Sequence, residues 1–185
     1  VGPENVDDFS IGNPSVPAPD SVADVIRQLV EEVDPVALHG YTPAQGAPDV
    51  RQTLADELNA RYGTQYHKDN LYLTVGAAAA LCCCLSAMGC EGDEFITFAP
   101  YFPEYKPFAE GAGAKFKVVA PDIPDFQIKL SAVEEALTEN TVAIILNSPN
   151  NPSGVVYTRQ TLETLSALLT RKGEEFGHPI YLVAD

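Results

Sequence analysis

Apolar positions along this chain alternate between two patterns. Short runs rich in β-branched, aliphatic and aromatic residues fall at 71–75, 94–98, 115–119, 142–146 and 180–183, the run at 142–146 being continuously apolar. Runs of that length and composition predict strands, most of them buried on both faces. Helical spacing fills the gaps between them. It predicts a helix over 20–33 carrying Val22, Val25, Ile26, Leu29 and Val30, and one over 48–62 with Val50, Leu54, Ala55 and Leu58 on one face. Pro48 suits the first turn of the latter. Further helices are predicted over 77–88, 102–111, 130–137 and 158–171, with Ser131 to Glu134 compatible with a capping box.

Strands alternating with helices predict an α/β fold, a three-layer α/β/α sandwich with a mainly parallel sheet, here incomplete. The first 50 residues differ, being dense in turn formers such as Gly12-Asn13-Pro14, Pro35, Gly40, Pro43, Gly46 and Pro48. The last run, 180–183, reads as a fully buried strand, and the sequence stops two residues later at Asp185. A buried parallel strand needs neighbours and a crossover, so the sequence is expected to be part of a longer protein.

Composition narrows the function. The formal net charge is −15, from 26 acidic and 11 basic residues, which disfavours nucleic acid and anionic membranes as partners. No apolar run reaches the roughly 20 residues of a membrane helix, and the first residues lack a basic-then-apolar leader pattern. A cytoplasmic location is the default expectation. Cys82, Cys83, Cys84 and Cys90 cannot form an ordinary disulfide framework, and with His39, His67 and His178 they show no metal-ligand spacing. They are expected to be reduced thiols buried on a helix.

In open α/β sheets, ligands sit beyond the carboxyl ends of the strands. After 71–75 comes Gly76-Ala77-Ala78, opening a helix with small residues; uncovered amides and the helix dipole there suit a phosphate without any Lys or Arg. After 94–98 comes Pro100-Tyr101-Phe102-Pro103-Glu104-Tyr105, whose aromatics suit a wall against a planar ring. After 142–146 comes Asn147-Ser148-Pro149-Asn150-Asn151-Pro152-Ser153-Gly154, a sharply fixed loop presenting Asn side chains. After 180–183 comes Asp185, a carboxylate that calls for a cationic partner. Each of these has an ordinary structural explanation too: close packing, core aromatics, a turn, or a helix cap.

Taken in order, these segments resemble the fold-type I pyridoxal-phosphate aminotransferases of class I/II, the aspartate aminotransferase type. Residues 147–154 fit the family's N-x-P-x-N-P-[ST]-G run. Tyr41-Thr42-Pro43-Ala44-Gln45-Gly46 with Arg51 fit its Y-x-P-x-x-G segment and following arginine. Thr74-Val75-Gly76 fit its T-x-G turn, and Gly92-Asp93-Glu94 with Pro100, Phe102 and Tyr105 fit its G-D-E…P-x-[FYW]-x-x-Y run.

The resemblance implies two regions, 1–35 as an N-terminal segment bordering a smaller domain and 36–185 as the front part of a large ligand-binding domain. It implies pyridoxal 5'-phosphate as cofactor, and an amino acid and a 2-oxo acid as substrates. It implies that Gly76, Ala77 and Ala78 give amides to the cofactor phosphate, and that Phe102 stacks on the ring. Asn151 would hydrogen-bond the phenolic oxygen and border the substrate; Asp185 would pair with the ring nitrogen. Tyr41 would reach the phosphate held by a neighbouring subunit, in a homodimer with shared active sites, and Gly40 would border the substrate. The family joins its cofactor to a lysine placed after the match to Asp185. Lys68, Lys106, Lys115, Lys117, Lys129 and Lys172 all precede that residue, so this sequence holds no catalytic residue of that kind. Transaminase activity is favoured over a carbon–sulfur β-lyase of the same fold, or an inactive pyridoxal-phosphate-binding module. A nucleotide-binding domain lacks support, since neither G-x-G-x-x-G nor G-x-x-x-x-G-K-[ST] occurs.

Overall fold

The structure, a computed structural model, describes residues 2, 5–6 and 16–185. The turn expected at Gly12-Asn13-Pro14 lies outside them. The chain divides into two compact units, Val1–Ala47 and Pro48–Asp185.

In the first unit, α1 (Asp20–Glu32) forms where predicted, and its apolar residues Val22, Val25, Ile26, Leu29 and Val30 are all exposed. A short helix not anticipated from the sequence follows, α2 (Pro35–His39). Its start is fixed by Asp34, whose carboxylate accepts from the amides of Val36 and Ala37, and by Pro35 in the first turn.

The second unit begins with α3 (Pro48–Tyr62). Its inward face is set by Arg51 and Ala55, while Val50 and Leu54 are exposed, which corrects the face predicted from hydrophobicity. The Arg51 guanidinium donates to the carbonyl of Lys68 (2.7 Å) in a 3-10 turn and lies 3.6 Å from the Asp69 carboxylate. A hydrogen bond and an ion pair outcompete the weak apolar stripe.

The run at 71–75 belongs to no strand, because it pairs with none of the sheet's strands. Next come α4 (Ala77–Met88), β1 (Glu94–Phe98), α5 (Tyr105–Gly111), β2 (Lys115–Val119), α6 (Leu130–Ala136), β3 (Thr141–Leu146), α7 (Arg159–Phe176) and β4 (Tyr181–Ala184). The capping box expected at Ser131 and Glu134 is absent; α6 has no side-chain cap, and Glu134 pairs instead with Arg171 of α7 (2.8 Å).

The four strands form one parallel sheet in the order β2-β1-β3-β4. Side-chain alternation divides β1 and β3 between its two faces. Ile96 and Phe98 of β1 and Ile144 and Leu146 of β3 pack with Val133, Leu165 and Leu169 from α6 and α7. Phe95 of β1 and Ala143 and Ile145 of β3 pack with Leu81, Leu85, Tyr105 and Ala109 from α4 and α5. This is the three-layer α/β/α arrangement. Burial of Ile144 or Ile145 contributes about 1.5–3 kcal/mol each.

The start of β1 carries a polar contact under the sheet. Lys117 donates to the Glu94 carboxylate at 2.6 Å, and Thr138 donates to the same oxygen at 2.6 Å. Burial alone raises the Glu94 pKa, but these two bonds and the charges of Lys117 and Lys115 outweigh it and hold the carboxyl below its ordinary value.

β4 is not the fully buried strand expected: Tyr181 and Leu182 are exposed. β3 covers one of its edges, and no described strand covers the other.

Candidate active site at the strand tips

Because β1, β3 and β4 run parallel, the segments that leave their carboxyl ends emerge on one side of the sheet. Three of those segments converge there through direct contacts. The tip of β4 places Asp185, whose amide donates to the Leu146 carbonyl (2.8 Å) and so continues the β3–β4 ladder. The Asp185 carboxylate accepts a hydrogen bond from the hydroxyl of Tyr105, the first residue of α5, which is 1% exposed. Tyr105 is held in the core by Leu81, Leu85 and Ala109, and Phe102 packs edge-on against it with ring centroids 5.6 Å apart. Burial first, and the bond to Asp185 second, push the Tyr105 phenol far above its ordinary range, so it is a hydrogen-bond donor at every ordinary pH. Asp185 itself forms no ion pair among the described residues.

The loop after β3 is braced from within. The Asn150 side chain is buried and accepts from the Ser153 backbone amide (3.2 Å) and hydroxyl (2.7 Å), while the Asn150 backbone amide donates to the Val155 carbonyl (2.9 Å). The Ser148 hydroxyl accepts from the Tyr157 amide at 3.2 Å. Ser148–Pro149 and Asn151–Pro152 are cis, as is Ala99–Pro100 after β1. Asn151 is exposed, and its side-chain amide bonds to no described residue. Asn147 joins the loop to the tip of β4: its side chain accepts from the Asn151 backbone amide (2.5 Å) and donates to the Asp185 carbonyl (3.1 Å).

The helix opening at Gly76 supplies a different surface. Gly76 has φ 85 and ψ 166, a conformation essentially confined to glycine, and no side chain caps α4. The first helical bond is from Ala80 to Gly76, so the amides of Ala77, Ala78 and Ala79 have no acceptor among the described residues. Gly76, Ala77 and Ala78 are exposed, but the Gly76 amide, expected to serve the phosphate with the other two, donates instead to the Thr74 carbonyl (3.1 Å). Uncovered amides at the start of a 12-residue helix suit an anion.

Of the residues singled out in the sequence, Phe102, Asn151 and Asp185 are therefore linked through shared neighbours, and Gly76, Ala77 and Ala78 begin a helix packed in the same core cluster as Tyr105. Tyr41 is wholly exposed and Gly40 follows α2, both in the first unit. Tyr105 and Asn147 received no individual role from the sequence. Both sit inside the runs that attracted attention, but no local signal marks which loop residue will meet a strand 38 or 80 positions away.

The cysteine expectation is corrected. Leu81 and Leu85 occupy the buried side of α4, and Cys82, Cys83 and Cys84 on its other sides are exposed, as is Cys90. The Cys90 thiol donates to Asp93 (3.1 Å), and that bond and the carboxylate's charge raise its pKa. No cluster of His, Cys, Asp and Glu suited to a metal occurs among the described residues. Nor is any described helix long and apolar enough to cross a membrane. A cavity of about 560 Å³ lies elsewhere, between α7 and the beginning of β4, lined by Leu169, Gly173, His178 and Ile180 among others.

The site as built offers anion-binding amides, an aromatic side chain, an unengaged Asn and an unpaired carboxylate. That set fits a flat ring bearing a phosphate at one end and a basic nitrogen at the other. Comparison with known proteins points the same way. A family model described as aminotransferase class I and II matches residues 4–174. The aspartate aminotransferase of Thermotoga maritima is 32% identical over 183 residues, covering 98% of this chain and 46% of that protein. A probable aspartate aminotransferase of Methanocaldococcus jannaschii is 31% identical over 160 residues, covering 86% of this chain and 41% of that protein. The crystal structure of an amino transferase from Eubacterium rectale superposes with a TM-score of 0.94 at 53% identity, covering 98% of this chain and 46% of that one. The chain thus spans less than half the length of these relatives.

Proposed function

Because this chain belongs to the aminotransferase class I and II family, we propose that the whole protein transfers an amino group between an amino acid and a 2-oxo acid. Pyridoxal 5'-phosphate is the cofactor of that family. When bound it supplies an electron sink, drawing charge from the substrate's α-carbon into a protonated pyridine ring.

This chain's residues hold and polarise that group. The amides of Ala77 and Ala78, with Gly76 giving the backbone its turn, receive the phosphate, and the dipole of α4 adds attraction. Local dipoles matter here, because the formal net charge of the sequence is −15 and its wider field repels anions. Phe102 gives the ring an apolar face, and Asn151 donates to the phenolic oxygen and borders the substrate. Asp185 faces the ring nitrogen and keeps its proton in place. Asp185 carries the proposal: a carboxylate fixed at the strand tips, bonded to a buried neutral hydroxyl and to no cation of the described chain. A positively charged ring nitrogen is the partner such a carboxylate lacks.

In the full-length protein, a lysine following Asp185 in sequence is the covalent attachment point and the general base. Gly40 borders the substrate and Tyr41 reaches the phosphate of a second subunit, which makes the working form a homodimer. Residues 1–35 border a second, smaller domain, and the protein works in the cytoplasm. The relatives named as aspartate aminotransferases make aspartate with 2-oxoglutarate the first pair to test.

The test uses the full-length protein incubated with pyridoxal phosphate. Borohydride should fix one cofactor per chain on a lysine beyond Asp185, seen by peptide mass. Oxaloacetate and glutamate should form from aspartate and 2-oxoglutarate, or another amino acid in a panel should react in its place. No fixed cofactor, or β-elimination products without amino transfer, would refute the proposal.

A further inference from the structure

We infer that Asn147 is a positioning residue for the cofactor: its one side-chain amide sets Asn151 and Asp185 relative to each other. This rests on the roles proposed above for those two residues.

Asn147 is the first residue after β3, whose last pair with β4 is Leu146 with Ala184. Its Oδ1 accepts from the Asn151 backbone amide at 2.5 Å, which leaves the Asn151 side chain available, and its Nδ2 donates to the Asp185 carbonyl at 3.1 Å. A side-chain amide is planar, so an acceptor and a donor on one carbon fix both neighbours in a single frame. The backbone of Asp185 is then gripped at both ends, its amide by Leu146 and its carbonyl by Asn147. Other polar side chains of the loop do not share the task. Asn150 bonds to Ser153, and Ser148 bonds to Tyr157.

The ligand's chemistry explains why such a frame matters. In pyridoxal phosphate the nitrogen and the phenolic oxygen are fixed on one rigid ring. Two protein groups that address them must therefore hold a fixed spacing, and a shift of either detunes both contacts. Asn151 and Asp185 lie 34 positions apart on separate segments, and the route of side-chain bonds between them runs through Asn147.

The consequence is readable in the spectrum of the bound cofactor. A hydrogen bond from Asn151 to the phenolic oxygen draws charge from that oxygen. This weakens its hold on the proton shared with the neighbouring lysine nitrogen. Loosening Asn151 strengthens that hold and raises the pH midpoint of the absorbance change. One misplaced hydrogen bond corresponds to a rise of roughly half to one pH unit.

The experiment titrates the full-length, cofactor-loaded protein by absorbance, in wild-type form and as Asn147→Ala, Asn147→Gln, Asn151→Ala and the Asn147→Ala/Asn151→Ala double variant. Asn147→Gln keeps the polarity but is one methylene too long to hold both bonds, and it serves if the alanine variant folds poorly. Both Asn147 variants should raise the midpoint, and the double variant should rise no further than Asn151→Ala alone. A wild-type midpoint in both Asn147 variants, accompanied only by lower melting temperatures, would make the residue purely structural and overturn the inference. If Asn151→Ala also leaves the midpoint unmoved while borohydride still fixes the cofactor, the role given to Asn151 fails, and this inference with it.

Discussion

Gly76→Ala probes the anion cradle in isolation. Gly76 sits at φ 85 and ψ 166, a region in which an L side chain costs about 1–3 kcal/mol. The new methyl group meets no atom within 4 Å, so backbone strain is not mixed with a clash. The strain has two outlets. If the start of α4 keeps its geometry, the full cost appears as lost stability. If the backbone relaxes, the amides of Ala77 and Ala78 turn away from the phosphate and the cost appears in cofactor binding. The two losses together should total about 1–3 kcal/mol; taken wholly in binding, that is about a 5- to 150-fold weaker affinity. Equilibrium dialysis of pyridoxal phosphate against the full-length apoprotein measures one part, and urea unfolding of the same apoprotein the other. Gly63→Ala is the control: Gly63 has φ 67 and open space too, but it follows the end of α3. It should lower stability and leave affinity untouched. The reasoning fails if Gly76→Ala changes neither quantity, or if Gly63→Ala weakens cofactor binding as much.

Further expectations concern the scaffold of the same full-length protein. Leu85→Ala, at a position with no exposure, should destabilise by about 2–5 kcal/mol in urea melts, since α4 cannot easily collapse onto Phe95 and Tyr105. Glu94 has a lowered pKa, so its stabilising contribution is present above the ordinary carboxyl value of 4.5 and drains away as pH falls below it. Lys117→Met should remove this acid-side dependence and cost about 1–3 kcal/mol at neutral pH, measured by melts across pH 3 to 7. Tyr105 has a raised pKa, so its contribution is complete below the ordinary tyrosine value of 10.0 and is lost as pH rises further. Tyr105→Phe should flatten that alkaline loss, and an unchanged slope above pH 10 would show that the hydroxyl is not held as described.

The helices and strands of the second unit were legible because their signals are local. The largely unbroken apolar runs at 95–98 and 142–146 need both faces of a sheet covered, and Ile96 with Ile144 on one side and Phe95 with Ile145 on the other show it covered. Where the sequence misled, a distant partner decided. The apolar run at 71–75 has strand composition but finds no partner strand in the sheet, and a strand is defined by pairing. On α3, the hydrogen bond from Arg51 to Lys68 outweighed the stripe of Val50 and Leu54. The cysteines of α4 look apolar by composition, yet Leu81 and Leu85 at helical spacing take the only buried side.

The candidate site divides in the same way. Phe102, Asn151 and Asp185 lie in segments that follow strands, where a parallel sheet exposes its loops, and the family motifs singled them out there; Gly76 was named by the same motifs, although the run before it forms no strand. That Asp185 meets a buried Tyr105, and that Asn147 bridges it to Asn151, was settled only by the register of β3 against β4 and the docking of α5. Sequence records which groups are present at short range. Hydrogen bonds between residues dozens of positions apart depend on how the layers pack, and that is a property of the folded chain alone.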